Sequence, residues 1–210
     1  MNKKEFKKLL KRVWHFIWEE DSIWSWIANV ILAFILIKFI VYPGLGFILS
    51  TSHPVVAVVS ESMEHNMNFY DWWEENKNWY IENGISKEEF EKFSLKNGFN
   101  KGDIMVLVGK KPGQIKLGDV IVFVSHRERP RNDPIIHRVV NKFDNGAYVT
   151  LKTKGDNNEG QINGCNGENE CTDETDILGE QLVGKAVLRI PFLGYIKIWF
   201  VEALNFIGLA

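Results

Sequence analysis

The chain has 210 residues, of which 45 % are apolar and 25 % charged, and its formal net charge is −2. This length accommodates one domain with an anchor, or at most two small domains, and the composition excludes a wholly disordered chain. The nearly balanced charge gives no reason to expect nucleic acid as a partner. The charge is unevenly distributed, however, because the first twelve residues carry six Lys and Arg against Glu5 alone.

Residues 23–49 form an almost continuous apolar stretch in which Lys38 is the only charge. A helix needs about 20 residues to cross a bilayer, and the stretch is too long for the apolar part of a cleaved signal sequence. We therefore predict a cytoplasmic basic N-terminus at 1–22 and a retained transmembrane anchor at 23–49. The positive-inside rule then places the rest of the chain outside the cytoplasm, on the cell membrane or, in a eukaryote, on the endoplasmic reticulum membrane.

Strand patterns dominate the chain after the anchor. The turns Gly102-Asp103 and Gly118-Asp119 lead directly into β-branched runs, which is typical of a tight turn entering a strand. Helical patterns are scarce between residues 101 and 190, so residues 50–190 are predicted to form a mainly β, antiparallel, barrel-like domain. The predicted strands are 55–60, 104–108, 120–124, 135–140, 147–153 and 182–190.

Two segments depart from this strand pattern. Residues 64–100 are rich in aromatic side chains, and Ser86 with Glu89 is a capping-box pattern before Phe90. This segment is predicted to be a small helical insertion, serving either as a satellite core or as a lid or membrane-interface pad. Residues 191–210 are apolar but carry charges, and we predict that they associate with the membrane.

The step Ser60-Glu61-Ser62-Met63 ends the apolar run 55–59. In a strand, residues two apart point to the same face, so both serine hydroxyls are predicted to converge on one reacting carbonyl. A serine nucleophile needs a base within hydrogen-bond reach. Alternation over 135–140 places His137 on an otherwise apolar strand face, where it is either that base or a hydrogen-bonded core histidine.

The turn at 154–158, Lys-Gly-Asp-Asn-Asn, follows a predicted strand. Its Asp156 either caps an Asx-type turn or supplies the carboxylate that fixes the tautomer of the histidine base.

Cys165 and Cys171 are the only two cysteines and lie six residues apart. Outside the cytoplasm a disulfide between them is chemically permitted, and we predict a local loop staple. Two cysteines with no nearby histidine make a poor zinc site, so no metal is predicted.

Five segments, in this order and behind a single N-terminal anchor, resemble type I signal peptidases, with a closer likeness to the archaeal and endoplasmic-reticulum branch. The resemblance implies an all-β peptidase domain that removes signal peptides from exported proteins, cleaves after small residues at the outer membrane surface and needs no cofactor. It implies Ser62 as nucleophile, His137 in place of the bacterial lysine base, and an oxyanion hole from the Ser60 hydroxyl and the Ser62 N–H. Its implied partners are signal-peptide-bearing preproteins and the lipid bilayer, with the protein translocation machinery as a candidate. The resembling segments are 60–63, 116–123, 135–140, 154–158 and 183–185.

The chain departs from the family pattern at two places. The usual proline two residues after the Met is absent, and the Gly-Asp step comes only after the insertion 64–100. The eukaryotic branch also places its catalytic acid a few residues beyond the 154–158 turn, where this chain has Ile162. Asp156, Asp173 and Asp176 therefore remain candidates for the acid, with Asp156 ranked first because a strand end fixes its position.

Two other functions remain open at this point. One is another serine peptidase of similar fold, such as a self-cleaving repressor type, which the apparent anchor and the histidine base disfavour. The other is an inactive membrane-anchored binding subunit, which the intact Ser/His/Asp set disfavours.

Overall fold

A computed structural model describes residues 2–125, 134–166, 170–196, 198–199 and 202 of the chain. The chain divides into two compact units, residues 1–48 and residues 49–210.

The N-terminal residues are helical. Helix α1 covers Lys3–Trp18, and α2 (Ile23–Leu36) continues through a π-helical turn (Ile37–Val41) into α3 (Tyr42–Leu49). Pro43 lacks the N–H that an α-helix needs at that position, and just before it the Tyr42 N–H bonds five residues back to the Ile37 carbonyl. Residues 23–49 thus form one helix that is long and apolar enough to cross a membrane. The predicted apolar helix is confirmed with the same bounds.

The rest of the chain is built around one antiparallel sheet of seven strands and a separate two-stranded hairpin. The strands are β1 Val55–Ala57, β2 Ile104–Val108, β3 Val120–Phe123, β4 Ile135–Asp144, β5 Val149–Lys154, β6 Asn163–Asn166, β7 Glu170–Asp173, β8 Ile177–Leu178 and β9 Leu182–Ile190. The strand order in the sheet is β1-β2-β9-β3-β4-β5-β8, and the hairpin pairs β6 with β7. The predicted mainly β, antiparallel class is confirmed, as a sheet that forms a half-barrel.

The predicted insertion is helical. Helix α4 (Phe69–Glu82) begins at the cap residue Asn68, and α5 (Lys87–Phe90) begins at Ser86, whose side chain accepts from the Glu89 N–H. The aromatic side chains of this insertion pack together and against Val140 of β4, forming a satellite core. Of the two predicted roles, the satellite core is the one that these contacts support. Its buried members are Phe69, Trp72, Trp73, Tyr80, Ile85, Phe90 and Val140.

Strand β1 is shorter than predicted. It ends at Ala57, and Val58 then bonds to the turn before β2, donating to the Asp103 carbonyl and accepting from the Gly102 N–H. The chain then turns at residues 60–63, so the prediction that the two serines lie along a strand is wrong. Met63 is only 1 % exposed and packs in the main core with Phe99 and residues of the sheet, which anchors this turn.

The predicted C-terminal segment 191–210 is described only in part. Residues 195–196, 198–199 and 202 are helical, and residues 197, 200–201 and 203–210 lie outside the described residues.

Candidate active site

The turn that carries Ser62 is held by the 154–158 turn that follows β5. The backbone N–H of Asn157 donates to the Ser62 carbonyl at 2.8 Å, and its side-chain amide donates to the Glu61 carbonyl at 3.1 Å. Gly155 also lies directly against this turn, because a Cβ there would come within 2.8 Å of the Ser62 carbonyl oxygen. The position of the candidate nucleophile is therefore set by a glycine and an asparagine from a distant turn.

His137 lies on β4 beside Ser62. Its ring is buried, with 3 % of the residue exposed, and its Nε2 lies 2.8 Å from Ser62 Oγ. Ser60 Oγ lies 3.1 Å from Ser62 Oγ. The three side chains predicted to meet from the sequence do meet, although the serines reach this geometry from a turn rather than a strand.

The carboxylate behind His137 belongs to Glu174, which sequence reasoning missed. Glu174 Oε1 is hydrogen-bonded to His137 Nδ1, and the Glu174 side chain is fully buried. Thr153 Oγ1 donates to the same oxygen at 2.9 Å, and the Ile162 N–H donates to Oε2 at 2.7 Å. Glu174 is therefore fixed by hydrogen bonds to both of its carboxylate oxygens.

The placement of Glu174 follows from the β6–β7 hairpin. The Glu174 N–H donates to the Ile162 carbonyl at 2.8 Å, so the two residues on either side of the hairpin are neighbours. The insertion of residues 163–173 therefore leaves Glu174 next to Ile162, the position where the family pattern predicts an acid. A closed hairpin between Ile162 and Glu174 is the feature from which Glu174 could have been identified.

Asp156 lies elsewhere, and the prediction that it supports His137 is wrong. Its carboxylate accepts from Arg138 Nη2 at 2.7 Å and Nε at 2.9 Å, and from Tyr80 Oη at 3.1 Å, and it is hydrogen-bonded to His65 Nε2 at 3.0 Å. Burial alone would raise the pKa of Asp156, but the charge of Arg138 and the hydrogen bonds from His65 and Arg138 hold it well below its ordinary value. Alternation along β4 explains why Asp156 does not reach His137. Arg138 points to the opposite face of the strand from His137, and Asp156 pairs with Arg138 on that face.

The other two predicted acids also lie apart from His137. Asp173 Oδ1 accepts from the N–H and the hydroxyl of Thr175, which closes a local turn. Asp176 is exposed. In the part of the chain that the structure describes, Glu174 is thus the carboxylate found against His137.

Comparison with known proteins finds relatives that are signal peptidase subunits, although no family model matches the chain. The signal peptidase complex catalytic subunit SEC11 of Colletotrichum graminicola is 29 % identical over 179 residues, which are 83 % of this chain and 81 % of the relative. The SEC11 subunit of Scheffersomyces stipitis is 28 % identical, with 80 % of this chain and 78 % of the relative covered. That of Fusarium vanettenii is 26 % identical, with 78 % and 73 % covered. This chain is thus similar to signal peptidase catalytic subunits of the endoplasmic-reticulum type over most of its length.

The hairpin that precedes Glu174 carries the two cysteines. The β6–β7 register pairs Cys165 with Cys171, and Cys171 is disulfide-bonded. Ser125 Oγ donates to the Cys171 carbonyl at 2.6 Å, which ties the hairpin to the end of β3. Residues 167–169 at its tip lie outside the described residues.

A cleft of about 220 Å³ opens beside Ser62. Its walls combine apolar side chains with Ser60, Ser62 and His137. The apolar lining comes from Ala57, Val59, Pro134, Ile135, Ile136 and Ile162, with Asn158 as a further polar residue. An apolar side chain suits such a lining. Within the described residues, no group of three or more His, Cys, Asp or Glu is arranged to hold a metal ion.

Lys154 is a buried amine near the site. Its Nζ donates to the Gly155 carbonyl at 3.0 Å and lies 4.7 Å from the centre of the Tyr80 ring. Burial lowers the pKa of Lys154 to about 8. The amine therefore lies against main-chain carbonyls and aromatic rings.

Proposed function

We propose that this protein is a membrane-bound serine endopeptidase that removes signal peptides from exported preproteins. The observation that carries the proposal is the continuous hydrogen-bonded series from Ser62 Oγ through His137 to the buried carboxylate of Glu174. A buried carboxylate, an imidazole and a hydroxyl in this order are what an activated serine nucleophile requires.

The acylation step uses His137 as a base and then as an acid. A carboxylate at Nδ1 favours the tautomer with the proton on Nδ1, which leaves Nε2 free to accept the proton of Ser62. Ser62 Oγ attacks the substrate carbonyl as Nε2 takes that proton. The tetrahedral intermediate then collapses, Nε2–H protonates the leaving amine, and an acyl-enzyme ester remains.

Deacylation repeats the same proton transfers with water. His137 takes a proton from water as the water oxygen attacks the ester carbonyl, and it returns that proton to Ser62 Oγ as the new carboxylic acid leaves and gives its own proton to solvent. We assign Glu174 the supporting role, because its negative charge stabilises the imidazolium formed in each half-reaction. Its hydrogen bonds with Thr153 and Ile162 hold it in place without a change of conformation.

The oxyanion that forms during both half-reactions needs donors close to the nucleophile. The Ser60 hydroxyl lies 3.1 Å from Ser62 Oγ and is placed to donate to an oxygen that develops there. We propose that it acts together with the backbone N–H of Ser62. Removal of one such donor typically slows an acyl-transfer enzyme by about 10²–10³-fold.

Lysine is a less suitable base in this chain. The Lys154 amine is engaged with the carbonyl oxygens of Gly155 and Asp156, whereas Ser62 Oγ is bonded to an imidazole nitrogen. A histidine also begins near a pKa of about 6.5 without any desolvation, so it suits base catalysis near neutral pH.

The substrate class is proposed from the family resemblance, the cleft and the apolar N-terminal helix. We propose that the largely apolar cleft beside Ser62 receives a small apolar side chain of the preprotein before the cleaved bond. We propose that Ile23–Leu49 crosses the membrane with the basic N-terminus in the cytoplasm, so that the peptidase domain meets preproteins on the opposite side. The relatives are named as subunits of a signal peptidase complex, and we propose companion subunits or translocation components as partners here as well.

The proposal is tested with purified full-length enzyme in detergent and a preprotein whose new N-terminus is read by mass spectrometry. Ser62→Ala and His137→Ala should each abolish cleavage. The matched controls Ser52→Ala and His53→Ala remove an exposed serine and histidine that bond to each other, and both should cleave at the wild-type rate.

Two outcomes would overturn the proposal in different ways. If folded wild-type enzyme binds a preprotein but leaves it uncut, the chain is a binding subunit. If His137→Ala stays active while Lys152→Ala or Lys154→Ala is inactive, the base is a lysine.

A further inference from the structure

Helix α1 has two chemically different faces. At 100° per residue, Phe6, Leu10 and Val13 share one face, while Lys4 and Lys8 lie on the opposite one. The apolar face is uncovered, with Leu10 52 % and Trp14 62 % exposed. A single solvated helix gains nothing from exposing such a face to water. The apolar face comprises Phe6, Leu9, Leu10, Val13, Trp14, Phe16 and Ile17, and the other face carries Lys4, Lys7, Lys8, Lys11 and Arg12. Two terminal residues depart from this division: Lys3 in the first turn lies beside the apolar face, and Trp18 at the helix end lies on the basic side.

The end of α1 is attached to the start of α2. Ser25 Oγ donates to the Phe16 carbonyl at 2.5 Å, and the Asn29 side-chain amide donates to the Ile17 carbonyl at 2.8 Å. Both acceptors belong to the last turn of α1, where carbonyls have no partner within the helix. These two bonds hold the end of α1 beside the first turns of α2, at the end where the apolar helix 23–49 begins.

We propose that α1 lies along the cytoplasmic membrane surface, with its apolar face in the boundary between headgroups and acyl chains and its basic side chains on anionic lipid headgroups. This inference rests on the proposal that 23–49 crosses the bilayer. An amphipathic helix with a basic polar face and large apolar side chains opposite is the kind that binds an anionic interface.

The charge pattern favours lipid over a second copy of the chain. Pairing two α1 helices through their apolar faces would bring together two segments with the same excess of positive charge, which repel each other. An anionic lipid surface instead compensates this charge and covers the apolar face at the same time. The attachment to α2 keeps α1 at the interface, where both contacts are available together.

The test places an environment-sensitive fluorophore on single introduced cysteines in the full chain, reconstituted without reductant in nanodiscs that contain anionic lipid. Leu10→Cys reports the apolar face, Lys8→Cys the opposite face, and Ile35→Cys the apolar helix. Unmutated protein serves as the labelling blank, because Cys171 is disulfide-bonded. We expect blue-shifted emission and quenching by brominated lipid for the Leu10 and Ile35 probes, and water-like emission for the Lys8 probe.

Each of the other results would overturn the inference. Water-like emission from the Leu10 probe together with blue-shifted emission from the Ile35 probe contradicts only the surface location of α1. Water-like emission from the Ile35 probe contradicts the membrane span as well. A blue-shifted Leu10 probe that brominated lipid does not quench means that protein, not lipid, covers the face. An identical Leu10 shift in purely zwitterionic nanodiscs contradicts the role of anionic headgroups.

Discussion

Arg138 and Asp156 form an ion pair in which both side chains are fully buried, with Nη2 2.7 Å from Oδ2. The residue before Arg138 is His137, which points to the opposite face of β4 and contacts Ser62. One strand thus carries the candidate base on one face and a structural charge on the other. Tyr80 and His65 of the insertion also bond to Asp156. The Arg138–Asp156 pair therefore joins the satellite core to the sheet.

Asp156→Asn should reduce stability rather than chemistry. The change leaves the buried Arg138 guanidinium without its counter-charge, which typically costs about 3–5 kcal/mol. The exposed Asp176→Asn is the matched control and should change the free energy of unfolding by less than about 0.5 kcal/mol. Denaturant unfolding in detergent measures both. An Asp156→Asn variant as stable as wild type would contradict the structural role.

The contribution of the Arg138–Asp156 pair to stability should be lost at low pH. Because the pKa of Asp156 is lower in the folded chain than its ordinary value, its contribution is fully present above the ordinary carboxyl pKa of about 3.9 and is lost as pH falls further. Melting temperatures of wild type and Asp156→Asn should therefore converge as pH falls below about 4. A constant difference over that range would contradict this account.

Gly155→Ala should displace the nucleophile. The new methyl group would lie 2.8 Å from the Ser62 carbonyl oxygen and 2.6 Å from Asn158 Nδ2, closer than such atoms approach. We expect a fall in kcat, because a small displacement of a reacting group is costly in rate. Gly160→Ala is the control, since its methyl group would meet only Trp79 Nε1 at 3.7 Å. Equal kcat values for the two variants would contradict the proposed packing.

Lys154→Met should change how stability depends on pH. Burial lowers the pKa of Lys154 from 10.5 to about 8. Between pH 8 and 10.5, Lys154 is therefore protonated in the unfolded chain and neutral in the folded chain. Wild-type stability should then rise from pH 8 to 10 by about 2–3 kcal/mol through this group. The Met variant lacks that rise, and its advantage at pH 7 should shrink towards pH 10. If the melting temperatures of the two proteins change with pH in parallel, the pKa of Lys154 does not affect stability.

Local patterns account for the parts of the fold that the sequence predicts well. Strands 104–108 and 182–190 have the predicted bounds. The first is a largely β-branched run that directly follows a Gly-Asp turn, which defines it without distant contacts. His137 is predictable for the same reason, since strand alternation alone assigns its face. The apolar helix 23–49 depends only on length and composition.

The acid behind His137 depends on distant contacts that no local pattern reveals. Glu174 reaches its place because the hairpin 163–173 closes and sets it beside Ile162. Asp156 is drawn away by Arg138 and by two residues of the insertion. Before those partners are known, the strand end favours Asp156, and nothing local singles out Glu174.

The measurement that tests the site most directly is kcat for preprotein cleavage by Glu174→Gln, Glu174→Asp and Asp156→Asn, expressed per folded molecule. We expect Glu174→Gln to lose roughly 10³–10⁴-fold, the effect of replacing a triad carboxylate by an amide. Glu174→Asp should recover part of that loss, because it keeps the charge, and Asp156→Asn should keep most of kcat. A Glu174→Gln variant with wild-type kcat, beside an inactive but folded Asp156→Asn variant, would contradict the assignment of Glu174.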